Sequence, residues 1–303
     1  MTAFATIRTW GEMIKFSHTI FALPFALIAT FLAGSHLPTG RPTWAQLGLI
    51  LVCMVAGRSV AMTFNRIADA DLDARNPRTA GRPIPAGRIT RRQAWAFLVA
   101  SGGVFFAGCA GFRVLSGNPW PRYLSLPTLG LLVGYAYAKR VTTGAHFILG
   151  AAIAFAPTAA WIAIDPHSLG RPALLLTVAV LFWIAGFDII YACQDIDVDR
   201  RDGLRSIPAR FGVARSLLVS RLCHVLTVAA LVGLGLDTGL GGLYWAAVGM
   251  TALLLAAEQA LVRADDLSRV NLAFFTMNGL ISLLLGLATI CDILWLGSGG
   301  AAG

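Results

Sequence analysis

Charge is what this chain has least of. Only 13% of its 303 residues are Asp, Glu, Lys or Arg, while 57% are hydrophobic and the mean hydropathy is +0.71. That leaves too little polar side chain to cover an ordinary soluble domain, so the sequence reads as an all-α polytopic membrane protein. Paired cysteines are missing too. Cys53, Cys109, Cys193, Cys223 and Cys291 stand singly, without CxxC spacing or nearby histidine clusters, and read as small core residues with no disulfide or zinc role. The net charge of +9 would suit nucleic acid, but in a membrane chain it is accounted for by orientation through the positive-inside rule, and no nucleic-acid partner is expected.

After a polar lead at residues 1–13, nine apolar segments follow, at 14–34, 44–66, 92–112, 123–138, 144–164, 173–193, 214–236, 240–262 and 271–295. Each is near the ~20 residues that a membrane-crossing helix needs. The first is too long for a cleaved signal peptide and holds Lys15 and His18, so it reads as a retained helix. Residues 1–303 form one membrane-embedded domain in this reading, with a disordered Gly-rich tail at 296–303. Eighteen Lys and Arg residues fall in the lead and in alternate loops, against four (Arg41, Arg113, Arg122 and Arg171) in the other loops. This imbalance places the N-terminus in the cytoplasm and the C-terminus outside, in what reads as a bacterial inner membrane.

The scarce acid is concentrated. Eight of the fifteen acidic residues lie in two stretches, NRIADADLDARNPRTAGRPIPAG from Asn65 and DIIYACQDIDVDRRDGLRSIPARFG from Asp188. Asn65, Asp69 and Asp73 are spaced i, i+4, i+8, and Asp188, Asp195 and Asp199 are spaced i, i+7, i+11, so each set points from one face of a helix. Each stretch closes an even-numbered segment on the cytoplasmic side, and each leads into a basic loop with Arg82-Pro-Ile-Pro or Arg205-Ser-Ile-Pro. The repetition predicts nine transmembrane helices around a central cavity, as two four-helix halves plus a ninth helix, with the two carboxylate faces meeting across the cavity.

Clustered carboxylates near a membrane need a cation. Hard divalent ions, above all Mg2+, take oxygen ligands and share their sites with substrate phosphates, and flanking Lys and Arg take the remaining phosphate oxygens. An apolar cavity running from such a site into the bilayer suits a polyprenyl tail. Together these features describe the ionisation of a prenyl diphosphate.

At this point the chain resembles the UbiA-type intramembrane prenyltransferases along nearly its whole length. The motifs are NxxxDxxxD (Asn65, Asp69, Asp73), DxxxxxxDxxxD (Asp188, Asp195, Asp199) and YxxxK (Tyr135, Lys139), followed by Arg140. GRPIPAG in the first polar loop and Arg58, seven residues before Asn65, add to them. The IKFSHTIFALPFAL opening and the second aspartate block look most like the 4-hydroxybenzoate polyprenyltransferase branch, including relatives that serve menaquinone synthesis by the futalosine route. Where many members have Asn-Asp, this chain has Asn65-Arg66, one carboxylate fewer in the metal shell.

The resemblance implies Mg2+-dependent transfer of a polyprenyl group to a small aromatic acceptor, for ubiquinone or menaquinone biosynthesis, within membrane lipid. Asn65, Asp69, Asp73, Asp195 and Asp199 would hold metal and diphosphate, and Lys139, Arg140 and Arg82 the phosphate oxygens. Asp188 or a water would take the ring proton or orient the acceptor. Lys15, Arg58, Tyr135 and Tyr191 would contact substrate, and ring faces including Phe64 and Tyr137 would shelter the cation.

Blander readings stand beside these. Lys139 and Arg140 also serve as positive-inside anchors, Arg58 can snorkel or pair with a structural carboxylate, and His18, His146, His167 and His224 read as isolated polar residues. Another acceptor within the same family is an open alternative. An ion-coupled transporter would carry its charges near the midplane on broken helices, whereas these gather at one face. A CDP-alcohol phosphotransferase needs an Asp-Gly and Ala-Arg order that is absent.

Overall fold

The structure, a computed structural model, describes residues 3–14 and 19–299, so Lys15 and His18 lie outside the described residues. In chain order the helices are α1 (Ala3–Met13), α2 (Thr19–Gly34), α3 (Trp44–Ala68), α4 (Ala70–Arg75), α5 (Arg91–Ser116), α6 (Trp120–Gly134) and α7 (Ala138–Val141). They continue as α8 (Ala145–Ile164), α9 (Arg171–Ala192), α10 (Ile196–Arg201), α11 (Ile207–Thr238), α12 (Gly242–Leu261), α13 (Val270–Leu272) and α14 (Asn278–Gly299). There is no β-strand among the described residues.

Among the described residues, seven helical stretches are long and apolar enough to cross a membrane, where the sequence predicts nine. The two shortfalls are the first and fourth segments. Helix α2 has 16 residues and α6 has 15, about 24 and 22 Å at ~1.5 Å per residue, against the ~30 Å of a bilayer core. Both carry an interior proline, Pro24 and Pro127, and α6 gives way to a 3-10 turn at Tyr135–Tyr137, inside the predicted span. At the C-terminal end α14 is described as far as Gly299.

The chain divides into two compact units, residues 1–19 with 48–137, and residues 20–47 with 138–303. In the first, α3, α5 and α6 enclose a core of Ala56, Val60, Phe105, Cys109 and Leu129. Close approach depends on glycine, because a Cβ on Gly108 would lie 2.8 Å from Cys53 Sγ. Helix α5 starts at a capping box in which Thr90 and Gln93 satisfy each other's backbone amides. Beside it Met13 packs on Ile89 and Ala94, and Trp10 stacks on Phe97 at 4.6 Å. Arg88 closes on Glu12 at 2.5 Å and holds that carboxyl below its ordinary range.

In the second unit α9 is the most enclosed crossing segment, 61% of its most apolar stretch being buried against 33–44% for the other six. Helices α8 and α11 press on it through small residues. A Cβ on Gly150 would stand 2.5 Å from the Leu181 carbonyl oxygen, and one on Gly186 would strike the His224 ring. Helix α11 bends at Gly212, whose φ of 78° only glycine adopts without strain, so its long apolar run begins beyond the bend, as the predicted start at 214 implies.

Candidate active site

The two aspartate motifs have the same local construction. A long apolar helix ends, one aspartate sits at the break, and a six-residue helix follows. Asp69 stands between α3 and α4 with φ −98°, ψ 5°, and Asp195 stands before α10 with φ −106°, ψ 9°. Both fall in the sparsely occupied bridge region, where active-site residues recur. The first motif is thus no continuous helix. Its face survives because Asp69 N still bonds Asn65 O and Asp73 N bonds Asp69 O, at 2.9 and 2.7 Å.

One turn on, Asp73 and Asp199 are buried, only 6% and 3% exposed, while Asp71 and Asp197 between the motif residues face outward. Arg82 Nη1 reaches Asp73 Oδ1 at 2.6 Å, and Asp73 Oδ2 is buried with no hydrogen-bond partner. In the second motif Lys139 Nζ lies 3.9 Å from Asp199 Oδ2, a buried oxygen that again receives no hydrogen bond. Arg82 and Lys139 offset part of each carboxylate's charge, but neither hydrogen-bonds the buried oxygen, which keeps its lone pairs for another partner. The donor set therefore fits a hard divalent ion in each motif. Among the described residues no three Asp, Glu, His or Cys side chains form a ready-made cage.

The sequence-derived residues fall into two sets, one per unit. The first unit holds Arg58, Asn65, Asp69, Asp73, Arg82 and Tyr135. Asn65 Nδ2 donates to Asp69 Oδ2 at 3.3 Å, and Arg66, the departure from the common Asn-Asp, is buried with Nη1 directed at Asn65 Oδ1 at 3.4 Å. Arg58 is half-buried in α3, and Phe64 meets Tyr137 edge-on at 5.9 Å.

The second unit holds Lys139, Arg140, Asp188, Tyr191, Asp195 and Asp199. Lys139 is brought to Asp199 by a backbone link, because Arg205 N donates to Lys139 O at 2.6 Å and ties the loop after the second motif to the YxxxK segment. Arg140 is exposed, and Tyr191 stacks on Phe274 at 4.3 Å.

His146 is the residue that the sequence reading missed. It is fully buried at the start of α8, with Nδ1 2.6 Å from Asp188 Oδ2 and Nε2 accepting the Ile207 amide at 3.4 Å. An Nε2 that accepts leaves the ring proton on Nδ1, so His146 donates to Asp188. His224 is not isolated either, since Gln259 Nε2 lies 3.0 Å from its Nδ1.

Comparison with known proteins bears on this geometry. Residues 22–280 match the UbiA prenyltransferase family. A 4-hydroxybenzoate octaprenyltransferase of Aliivibrio fischeri is 29% identical over 286 residues, covering 93% of this chain and 93% of its own. The apo structure of a UbiA homolog from Aeropyrum pernix K1 is 34% identical and superposes with a TM-score of 0.80 over 91% of this chain and 98% of its own. A UbiA homolog from Archaeoglobus fulgidus, bound to GPP and Mg2+, shares the fold at a TM-score of 0.69 and 18% identity, over 94% of this chain and 99% of its own.

Proposed function

The chain belongs to the UbiA prenyltransferase family, and on that premise we propose that it transfers a polyprenyl group from a prenyl diphosphate to an aromatic acceptor. The acceptor is 4-hydroxybenzoate, the one in the name of the Aliivibrio relative, or a related precursor in ubiquinone or menaquinone biosynthesis. One observation carries the reading most: each motif buries a carboxylate oxygen, Asp73 Oδ2 or Asp199 Oδ2, that no hydrogen bond satisfies.

Asn65, Asp69, Asp73, Asp195 and Asp199 are the ligands we assign to magnesium. Magnesium held by either motif would neutralise diphosphate charge and make the diphosphate a competent leaving group. Arg82, Lys139 and Arg140 take phosphate oxygens through charge-assisted hydrogen bonds, with Lys15 assigned to the same substrate. As the allylic C–O bond breaks, its electron pair leaves with the diphosphate. The aromatic carbon ortho to the acceptor hydroxyl bonds to the prenyl C1, and the ring proton passes to Asp188 or to a water that Asp188 holds. His146 fixes the Asp188 carboxylate for that task. Tyr135, Tyr191, Phe64 and Tyr137 offer ring faces to the developing cation.

The protein is an integral membrane protein. We infer nine crossings, with α2 and α6 as the two short ones, a cytoplasmic N-terminus and active site, and a bacterial inner membrane location. The bias of basic residues supports this orientation. The deciding assay supplies membranes containing the protein with radiolabelled prenyl diphosphate, Mg2+ and 4-hydroxybenzoate, and looks for a lipid-soluble prenylated benzoate. Product from a different aromatic acceptor keeps the prenyltransferase and removes 4-hydroxybenzoate. No prenylated product from any quinone precursor defeats the reading.

A further inference from the structure

An open cleft of about 490 Å³ lies between the α7–α8 link and the start of α11. Arg200, Arg205, Arg210, Thr142, Thr143 and Ser206 line it, and no carboxylate does. Each guanidinium is steadied by a neutral acceptor: Arg200 Nε by Ala209 O at 2.9 Å, Arg205 Nη1 by Val141 O at 2.7 Å and Arg210 Nη1 by Thr143 Oγ1 at 3.3 Å. Each therefore keeps most of its five N–H donors for something else. Thr142 and Ser206 accept from backbone amides through their hydroxyl oxygens, which leaves their O–H groups to donate. Anchoring by the positive-inside rule needs basic residues near the surface, but it needs no convergence of three of them on one concavity.

The cleft sits where α8 and α11 begin. Exposed apolar side chains follow along α11. Phe211 lies 5.4 Å beneath the Arg210 guanidinium and is 45% exposed, and Leu218, Leu222 and Val225, spaced i, i+4, i+7 along α11, are 56–64% exposed. We propose that this cleft is a phosphate-binding site separate from the aspartate motifs, occupied by the headgroup of an anionic phospholipid whose chain follows the α11 track. The proposal does not depend on the acceptor or donor assigned to the enzyme.

The test uses the full chain in non-ionic detergent, with phosphatidylglycerol, phosphatidylcholine or sodium phosphate added separately. Bound lipid is counted by native mass spectrometry and protection is read from the thermal midpoint. Phosphatidylglycerol should bind and raise the midpoint, less so at high salt, and Arg200→Gln/Arg210→Gln should weaken it by about tenfold or more. Should the double variant fail to fold, Arg210→Gln alone serves, since that exposed side chain meets Thr143 and Phe211 at the surface. Equal phosphatidylglycerol binding by wild type and variant overturns the site. Equal protection by sodium phosphate overturns the lipid assignment, and equal protection by phosphatidylcholine overturns the requirement for a net anion.

Discussion

His146 Nδ1 donates to Asp188 Oδ2 across 2.6 Å, from a ring that is wholly buried and whose other nitrogen takes the Ile207 amide at 3.4 Å. One imidazole thus ties α8, α9 and the start of α11 to a single carboxylate orientation. His146→Phe removes that tie and also strands the Ile207 amide. Turnover should fall about 10- to 100-fold, short of the loss from removing an acid or base outright, with the Michaelis constant for prenyl diphosphate little changed. His146→Gln, whose amide can still donate to Asp188, should recover much of the rate. A purely structural histidine would instead lower the thermal midpoint in both variants and leave kcat per folded enzyme unaltered.

The buried oxygens of Asp73 and Asp199 give the metal assignment a sharp internal control. Asp73→Asn or Asp199→Asn should cost ~100-fold or more in kcat, because leaving-group charge then grows against an under-neutralised site. Asp71→Asn and Asp197→Asn, on the outward side of the same short helices, should keep rates within about threefold, as surface substitutions do. Steady-state rates across a magnesium titration, with a chelator blank, measure all four. Full activity in excess chelator, or equal losses at exposed and buried positions, removes the metal from these motifs.

What the sequence disclosed and what it hid follow from the range of the interactions. The aspartate motifs were legible because their spacing is local: Asn65, Asp69 and Asp73 keep one face through i to i+4 backbone bonds even across the break at Asp69. The break itself was not legible, since a helical spacing looks the same whether the axis continues or restarts. His146 carried no signal because its partner lies 42 positions away and a lone histidine on an apolar helix has many bland explanations. The short α6 was read as a full span because hydropathy counts apolar residues and not the 3-10 turn at Tyr135–Tyr137 that ends the helix.

Whether α6 crosses is open to direct measurement. In a cysteine-free background, Ser116→Cys before α6 and Thr142→Cys after it should react with a membrane-impermeant maleimide from opposite sides, Thr142→Cys from the cytoplasm with Ala80→Cys. Thr39→Cys, beyond α2, should label from outside. Labelling of positions 116 and 142 from one side would make α6 a re-entrant element and end the nine-crossing topology.

Arg58 supplies the test of the acceptor. It lies on α3 seven residues before Asn65 in an unbroken helix, about 10 Å further along the axis at ~1.5 Å per residue. A half-buried guanidinium at that depth is costly unless it meets an anion or a strong acceptor, and a benzoate carboxylate offers a bidentate partner. Arg58→Leu should therefore raise the Michaelis constant for 4-hydroxybenzoate by about tenfold or more while moving that for prenyl diphosphate much less. Arg58→Lys keeps the charge but not the planar fork, and should fall between the two. A rise confined to the diphosphate constant would transfer Arg58 to the donor site. Equal small changes in both would make it a structural cation whose partner is within the protein.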